Sequence, residues 1–298
     1  MLESIPVKSN SHQEDGRGLT RSLEESLKLG KSTAPIPRLL EHAKRNKILL
    51  HLLRRLDVKG QIRSMEEARY AKTLEAIADV AETLNGLEYT LFKVFRPIAY
   101  VPADIDVLIS VRELGIAQRR LRKLGLKAIV KDSYCLTLNG RFIVDLYTYP
   151  NFANIIYLDA RKLMNHITES KVNGITTKML KTSAEVAVVV AHALYKEHIY
   201  TLNDKITIQT WLNKESEAII EELKAKEALK LAQRINRQID EGLIETPYKL
   251  PIPKALTLMT HKTLQDPLTR ATMPKLLARL MERRLATHIT SRMRRITY

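Results

Sequence analysis

The stretch YVPADIDVLISVRE, residues 100–113, combines the pattern of a buried strand with two closely spaced carboxylates. Asp104 and Asp106 stand one residue apart, and the apolar residues Val-Leu-Ile follow directly. Side chains at positions i and i+2 of a β-strand point to the same face of a sheet, with Cα atoms roughly 7 Å apart. Two neighbouring carboxylates resist joint ionisation unless a counter-charge is present. The stretch therefore predicts a strand whose paired acids need a cation, and a divalent metal ion would supply it.

A third carboxylate lies in GRFIVDLYTYP, residues 140–150, where Asp145 stands between apolar residues of a second predicted strand. If both strands belong to one sheet, Asp104, Asp106 and Asp145 can converge on a common point. Such hard oxygen ligands suit Mg²⁺ or Mn²⁺, and a pair of ions can activate a hydroxyl and stabilise a leaving pyrophosphate. The alternative is that each Asp caps a turn or pairs with a basic side chain. Three acids on strands of one αβ unit favour the metal site.

The charge of the 298-residue chain favours a polyanionic partner. Lys plus Arg number 49 against 33 Asp plus Glu, a formal net charge of +16. Neutralised phosphates release condensed counterions, so this excess favours RNA or another polyanion, the alternative being a protein kept soluble by self-repulsion. The single cysteine, Cys135, excludes an internal disulfide and a thiolate metal cluster. Neither a secretory signal nor a transmembrane segment is predicted, and a cytoplasmic protein is expected.

The hydrophobic pattern predicts an α+β protein with a small mixed β-sheet core, helices packed on that sheet, and helical N- and C-terminal extensions. Apolar periodicity of about 3.6 residues dominates both ends of the chain, whereas β-formers and Asn-Gly turns dominate its middle. The predicted division is a disordered tail at 1–18, a helical N-terminal region at 19–86, a catalytic sheet at 87–181, a helical domain at 182–245, and a linker with a basic C-terminal helix at 246–298.

Three local patterns make predictions that the structure can test. One basic amphipathic helix is predicted from Pro37 to Leu56. Thr182 and Glu185 form a Thr-x-x-Glu capping-box pattern at the start of an apolar helix. The stretch TPYKLPIPKA, residues 246–255, holds three prolines and is predicted to be a linker.

The order helix, strand, DIDVLI, helix, strands and FIVDLYT resembles the nucleotidyltransferase superfamily of the DNA polymerase β and minimal nucleotidyltransferase type, in its uncharacterised, toxin-like branch. The resemblance covers roughly residues 65–212. It implies transfer of a nucleoside monophosphate from an NTP to a hydroxyl acceptor. RNA, such as a tRNA end, is the acceptor that the charge favours, while a protein hydroxyl or a small molecule stays open.

The resemblance also assigns roles to the three acids. It implies that Asp104 and Asp106 hold two ions, Mg²⁺ or Mn²⁺. Asp145 would hold the catalytic ion and help to deprotonate the acceptor. In this branch a helix with a His and a later Asp is usual, here His192 and Asp204. From the residues alone, His192 lies on an apolar helix and is interpreted as a packed core residue, and Asp204 as a helix cap.

One motif of the superfamily is missing. A Gly-Ser pair normally cradles the triphosphate about ten residues before the first Asp, and this chain has Lys93 and Val94 there. Without glycine, the backbone cannot approach phosphates as a glycine loop does. Lys93 and Arg96 are therefore predicted to supply charge to the nucleotide, and Lys178 and Lys181 to face it. The alternative is that all four are ordinary solvated basic residues with no contact to a nucleotide.

A nucleic acid is expected to bind through basic helices that grip the phosphate backbone without sequence preference. The missing Gly-Ser pair keeps an alternative open, namely a catalytically inactive relative that binds nucleic acid or a protein partner. A third interpretation makes the basic tail a membrane-surface or protein-partner element. The residues predicted to bind nucleic acid are Lys44, Arg45, Arg54, Arg55, Arg283, Arg284, Arg292, Arg294 and Arg295.

Overall fold

A seven-stranded mixed β-sheet forms the centre of the molecule, whose structure, a computed structural model, describes residues 18–280. The strands of this sheet and of two smaller ones are β1 (Tyr89–Phe92), β2 (Ile105–Ile109), β3 (Lys127–Lys131), β4 (Cys135–Asn139), β5 (Ile143–Tyr147), β6 (Asn151–Phe152), β7 (Ile155–Ile156), β8 (Ile167–Val172), β9 (Ile175–Leu180), β10 (Ile199–Tyr200) and β11 (Tyr248–Lys249). The order in the large sheet is β3-β4-β5-β2-β1-β9-β8. Strand β2 is parallel to β5 and β1 to β9, and the other neighbours are antiparallel. The predicted α+β class with a mixed sheet is confirmed.

Helices precede the sheet, pack on it and continue after it. They are α1 (Leu19–Leu29), α2 (Ile36–Arg45), α3 (Leu49–Arg55), α4 (Gln61–Thr83), α5 (Leu114–Arg122), α6 (Ala160–Leu163), α7 (Thr182–Ala191), α8 (Leu202–Trp211), α9 (Lys214–Glu222), α10 (Lys226–Asp240), α11 (Ile252–Gln265) and α12 (Pro267–Leu280). A 3₁₀ turn at Met164–His166 follows α6, and a π-helical segment at His192–Glu197 extends α7. Within residues 18–280, no helix has the length and apolar character that crossing a membrane requires.

Alternate side chains of β2 point to opposite faces of the sheet, and helices pack on both faces. Val107 belongs to a buried cluster that includes Ile77 of α4 and Ala117 of α5. Leu108 belongs to the opposite cluster, which is built around helix α7, buried from Ser183 to Ala191. Because alternate residues of a strand share a face, Asp106 lies on the α7 side of the sheet together with Leu108.

The N-terminal helices are fixed to the helices that follow the sheet. Buried leucines of α1, α2 and α3 pack with Leu202 of α8. The ammonium of Lys205, whose side chain is 1% exposed, lies 2.6 Å from a Glu24 oxygen of α1 and 2.5 Å from an Asp240 oxygen of α10. A buried charge needs such partners. These two ion pairs therefore hold α1 against α8 and α10, and with it the neighbouring helices α2 and α3.

The prediction of one helix from Pro37 to Leu56 is wrong, because the chain breaks between α2 and α3. Lys47 takes a left-handed backbone conformation there, with a φ of 59°. The side chain of Asn46 stabilises the break: its amide donates to the His42 carbonyl at 3.0 Å, and its Oδ1 accepts from the Leu202 N–H at 2.9 Å. Local side-chain hydrogen bonds of this kind compete with a continuous helix.

The predicted capping box at Thr182 and Glu185 is also wrong. Lys181 is the N-cap of α7, and no side chain caps it. Glu185 is 6% exposed and accepts a hydrogen bond of 2.8 Å from the backbone N–H of Lys93 instead. Its carboxylate therefore stabilises the backbone just after β1 rather than the N-terminus of its own helix.

Residues 246–255, predicted to be a linker, contain β11 and the first turn of α11. Pro251 is the N-cap of α11 and a second proline lies within its first turn, positions where the missing proline N–H removes no helical hydrogen bond. Helix α12 packs onto the protein, where the Ile156 N–H donates to the Thr272 hydroxyl at 3.1 Å. The basic tail predicted from Pro274 onwards falls within the described residues only as far as residue 280.

Candidate active site

The three predicted carboxylates lie together at one end of β2. Asp106 of β2 and Asp145 of β5 are register partners on parallel strands, so both side chains point to the same face. Asp104 comes two residues before Asp106. One oxygen from each of the three carboxylates can be chosen so that all three lie within 4.8 Å of one another. The convergence that the two Asp-bearing stretches predict is therefore present.

Asp106 is the most buried member of this acid cluster, with 3% of the residue exposed. Its Oδ2 lies 2.8 Å from the Lys93 ammonium. Its Oδ1 is buried and has no hydrogen-bond partner within the described part of the chain. Burial raises the pKa of Asp106 to about 7, an effect that the Lys93 charge offsets only in part. A cation next to Oδ1 would supply the missing partner.

Asp145 is oriented by hydroxyl groups. The Thr137 hydroxyl, on the neighbouring strand β4, donates to Oδ1 at 2.6 Å. The Tyr147 hydroxyl, two residues along β5, donates to Oδ2 at 3.3 Å and itself accepts from the Lys196 ammonium at 3.0 Å. Burial raises the pKa of Tyr147 well above its ordinary value, so the phenol stays protonated and remains a donor.

Lys93 directly follows β1, at the position predicted to supply charge in place of a glycine loop. Its φ is 61°, the left-handed conformation that glycine adopts freely and that costs other residues roughly 1–2 kcal/mol. Glu185 holds this conformation by accepting the Lys93 N–H, and the other carboxylate oxygen of Glu185 lies 3.8 Å from the Arg96 guanidinium. The chain therefore keeps a glycine-like backbone shape, but a lysine side chain fills the space next to the acids.

A cavity of about 480 Å³ opens above the acid cluster. Its walls come from the sheet, from the π-helical segment after α7, from α8 and from the N-terminal helices. Cations and acids are equally represented in the lining, with six of each. The cations are Lys44, Lys47, Arg69, Lys93, Arg96 and Lys196, and the acids are Glu66, Asp104, Asp106, Asp145, Glu197 and Asp204.

His192 lies on the wall of this cavity, not in the core as interpreted from the sequence. Its Nδ1 is 3.4 Å from the Lys93 ammonium and its Nε2 is 3.6 Å from a Glu197 oxygen. Burial lowers the pKa of His192 well below its usual value, and the surrounding lysines and arginine lower it further. The ring is therefore neutral at physiological pH. Asp204, predicted to be the helix cap, is instead the third residue of α8 and forms a capping box with the N-cap Thr201, and it also lines the cavity.

A second cavity, of about 400 Å³, lies on the other side of Asp104. Lys72 and Asp79 of α4 line one wall, and Arg141 and Phe142, just before β5, line another. Asp104 borders both of these cavities, whereas Asp106 and Asp145 line the larger one and not the smaller.

Of the four residues predicted to bind the nucleotide, Lys93 and Arg96 line the larger cavity, and the other two do not. The Lys178 ammonium donates to the Leu87 carbonyl at 3.1 Å, at the end of β1 remote from Lys93. Lys181 lies 3.9 Å from an oxygen of Glu215. Their contact with a nucleotide stays a prediction that this geometry does not support.

The residues predicted to bind nucleic acid fall into three groups. Lys44 and Arg45 are exposed on α2. Arg54 makes two hydrogen bonds, of 3.0 and 2.6 Å, to the Glu67 carboxylate, and Arg55 donates to two carbonyls at the end of α1. The remaining five lie outside the described residues: Arg283, Arg284, Arg292, Arg294 and Arg295.

Sequence reasoning missed several residues of the site. Lys47 reaches the cavity because of the break between α2 and α3, and Lys196 because of the π-helical segment. Glu185 was assigned to a helix cap. Only Thr137 had a local signal, since the Asn-Gly hairpin pairs its strand with that of Asp145.

No protein-family model matches the sequence, and no curated protein does. Among solved structures, the chain is similar to the antibiotic-resistance factor ANT(2'')-Ia, with a TM-score of 0.40 and 10% identity over 55% of this chain and 98% of that one. It is also similar to an antigenic nucleotidyltransferase-like protein from Paracoccidioides brasiliensis, with a TM-score of 0.36 and 10% identity over 62% of this chain and 96% of that one. At these TM-scores the likenesses carry no conclusion about activity.

Proposed function

We propose that the chain is a metal-dependent nucleotidyltransferase that moves a nucleoside monophosphate from an NTP to a hydroxyl acceptor. The observation that carries this proposal is the acid cluster of Asp104, Asp106 and Asp145, whose ligand oxygens lie within 4.8 Å of one another. Apart from these three acids, the lining of the cavity above them carries six cations against three acids. Carboxylates with adjoining cations are the combination that a metal-bound triphosphate requires. The resemblance in the order of strands and acids agrees with this assignment.

The residues of the cluster fit a divalent cation. Carboxylate oxygens are the ligands that Mg²⁺ and Mn²⁺ prefer, and the buried Oδ1 of Asp106 has no partner among the described residues. Asp104, Asp106 and Asp145 would hold the ion. When bound, Mg²⁺ or Mn²⁺ would supply Lewis-acid activation of the acceptor hydroxyl and neutralise charge on the leaving pyrophosphate.

The chain's own residues would position the reactants. Lys47 and Arg96 present positive charge to the triphosphate from the cavity wall, in place of a glycine loop. Asp145, oriented by the Thr137 hydroxyl at 2.6 Å, would take the proton from the acceptor hydroxyl. The acceptor would approach from the smaller cavity, because Asp104 borders both that cavity and the larger one.

RNA is the acceptor that we propose, on the net charge of +16. Lys44 lines the cavity and Arg45 is exposed beside it, so a phosphate backbone could pass from α2 to the site. A protein hydroxyl or a small molecule would not need this basic surface, and the size and nuclease sensitivity of the labelled product distinguish the three acceptors.

A second function, binding without catalysis, is favoured by one observation. The Lys93 ammonium already pairs with Asp106 at 2.8 Å, at the position where active members of the superfamily are expected to have glycine. A sheet that binds nucleic acid or a protein partner through its fold alone could keep such an ion pair. This alternative predicts that no NTP is consumed under any metal condition.

The deciding experiment is incubation with Mg²⁺ or Mn²⁺, each labelled NTP in turn, and total RNA. We expect label to be transferred by the wild-type chain and not by the Asp104→Asn, Asp106→Asn variant. Asp57→Asn, a substitution of an exposed acid after α3, is the matched control and should transfer at the wild-type rate. Transfer that persists in the double variant overturns the site assignment. No transfer from any NTP, with RNA still bound, establishes the binding alternative.

A further inference from the structure

The side chain of Lys93 enters the acid cluster as a fixed cation. Its ammonium lies 2.8 Å from Asp106 Oδ2 and 3.4 Å from the Nδ1 of the neutral His192 ring. The rings of Phe92 and Tyr147 flank it, with centroids at 5.2 and 5.7 Å. The residue is 8% exposed. A lysine surrounded in this way is confined to one position and does not move freely in solvent.

The backbone on either side explains why the ammonium is aimed at Asp106. Phe92, the last residue of β1, is the register partner of Asp106 on the antiparallel strand β2. Lys93 follows directly, and its left-handed conformation, with the N–H held by Glu185 at 2.8 Å, turns the chain at that point. Three elements therefore determine the position of one ammonium: the end of β1, strand β2 and helix α7.

Charge balance sets how many divalent cations the cluster can accept beside this lysine. Three ionised carboxylates carry three negative charges, and the Lys93 ammonium neutralises one of them. One divalent cation neutralises the other two. A second divalent cation would leave an excess of two positive charges in a buried site whose other lining residues already carry five cations against three acids. Like charges at short range are strongly unfavourable away from bulk water.

On the basis of the proposed function, we infer that the acid cluster binds a single divalent cation when no nucleotide is present, and that the Lys93 ammonium takes the place of the second ion. This assignment replaces the two ions that the resemblance implies. It also gives Lys93 a role that a glycine at this position could not fill, because the charge is built into the chain.

Counting bound Mn²⁺ without nucleotide tests the inference, with bound ion measured by electron paramagnetic resonance after equilibrium dialysis. The Asp104→Asn, Asp106→Asn, Asp145→Asn variant defines the background. We expect one Mn²⁺ above background for the wild-type chain and for Lys93→Arg, and two for Lys93→Met. Two ions in the wild type, or one ion in a folded Lys93→Met variant, overturns the inference and leaves the proposed function intact. No ion in the wild type also overturns the inference, and the label-transfer experiment then decides the proposed function separately.

A second measurement uses only the wild-type chain and so does not depend on how Lys93→Met folds. Acylation of lysine amines is followed residue by residue by mass spectrometry, with and without saturating Mn²⁺. If Lys93 remains in the cluster beside the bound ion, its labelling rate stays unchanged within about twofold. A rise of tenfold or more on adding Mn²⁺ means that the ion displaces the ammonium, and the inference fails. Lys59, whose side chain is 79% exposed, is the reference amine.

Discussion

Glu185 accepts a hydrogen bond of 2.8 Å from the backbone N–H of Lys93, a residue 92 positions earlier in the chain. The bond joins the buried helix α7 to the end of β1. The second carboxylate oxygen lies 3.8 Å from Arg96, whose side chain is 7% exposed. One carboxylate therefore stabilises both the unusual backbone conformation of Lys93 and a buried guanidinium.

Removal of this carboxylate should destabilise the fold. Glu185→Ala leaves the buried N–H of Lys93 unpaired and the Arg96 charge uncompensated, and we expect the free energy of unfolding to fall by about 2–4 kcal/mol. Glu185→Gln keeps an oxygen acceptor, so its loss should be smaller. Urea unfolding measures both, and amide hydrogen exchange at Lys93 reports on the bond itself. The exposed Glu217→Ala on α9 should change stability by less than about 0.5 kcal/mol. An equal effect of both Ala variants would contradict this role.

The same carboxyl group should make stability depend on pH. Burial raises the pKa of Glu185 from 4.5 to about 7, partly offset by Arg96 and the Lys93 N–H. Between these values the folded chain holds a proton that the unfolded chain has released, so the free energy of unfolding falls as the pH rises from 4.5 to 7. Over this range the change in the free energy of unfolding is on the order of 3 kcal/mol, and Glu185→Gln should abolish it. Asp106 acts in the same direction and is retained in both proteins, so the difference isolates Glu185.

The convergence of the two Asp-bearing strands was predictable because each strand has a local signal. Asp106 and Asp145 each stand in a short apolar run, and the Asn-Gly hairpin before Asp145 pairs its strand with the preceding one. The fold class follows from these short apolar runs, together with the helical periods on either side.

The other half of the site depends on departures from regular helices, which periodicity does not report. Lys47 is displaced by the break that Asn46 stabilises, through hydrogen bonds with residues about 156 and 200 positions away. Lys196 lies in a π-helical segment, which shifts the face of every following residue relative to an α-helix. Both lysines reach the cavity through long-range packing, so no local window of sequence contains their signal.

The hydroxyl of Thr137 should set the metal affinity of the site by orienting Asp145. It donates to Asp145 Oδ1 at 2.6 Å, and removing groups that orient metal ligands typically lowers affinity about 10- to 100-fold. We therefore expect Thr137→Val to weaken Mn²⁺ binding by about tenfold or more, and Thr137→Ser, which keeps the hydroxyl, to bind almost as the wild type does. Mn²⁺ titration measures both. Thr168→Val on the exposed strand β8 is the control. Unaltered binding by Thr137→Val would show that Asp145 needs no such orientation.

The basic residues of the N-terminal helices should separate into binding and structural pairs. All four residues are exposed, but Arg54 and Arg55 donate hydrogen bonds to Glu67 and to the end of α1. Lys44→Gln with Arg45→Gln should therefore weaken binding of single-stranded RNA. The slope of log affinity against log salt should become shallower by about 0.7 for each phosphate that the variant no longer neutralises.

Arg54→Gln with Arg55→Gln removes the same charge and serves as the matched control. Because Arg54 holds α3 to α4 through Glu67, and Arg55 holds α3 to α1, this variant should mainly lower the free energy of unfolding. Its salt slope should stay at the wild-type value wherever the protein is folded, because both guanidinium groups already donate to acceptors within the protein. Fluorescence anisotropy over a series of salt concentrations measures the slopes. Equal slopes for the two double variants would mean that net charge alone, and not the exposed pair on α2, governs RNA binding.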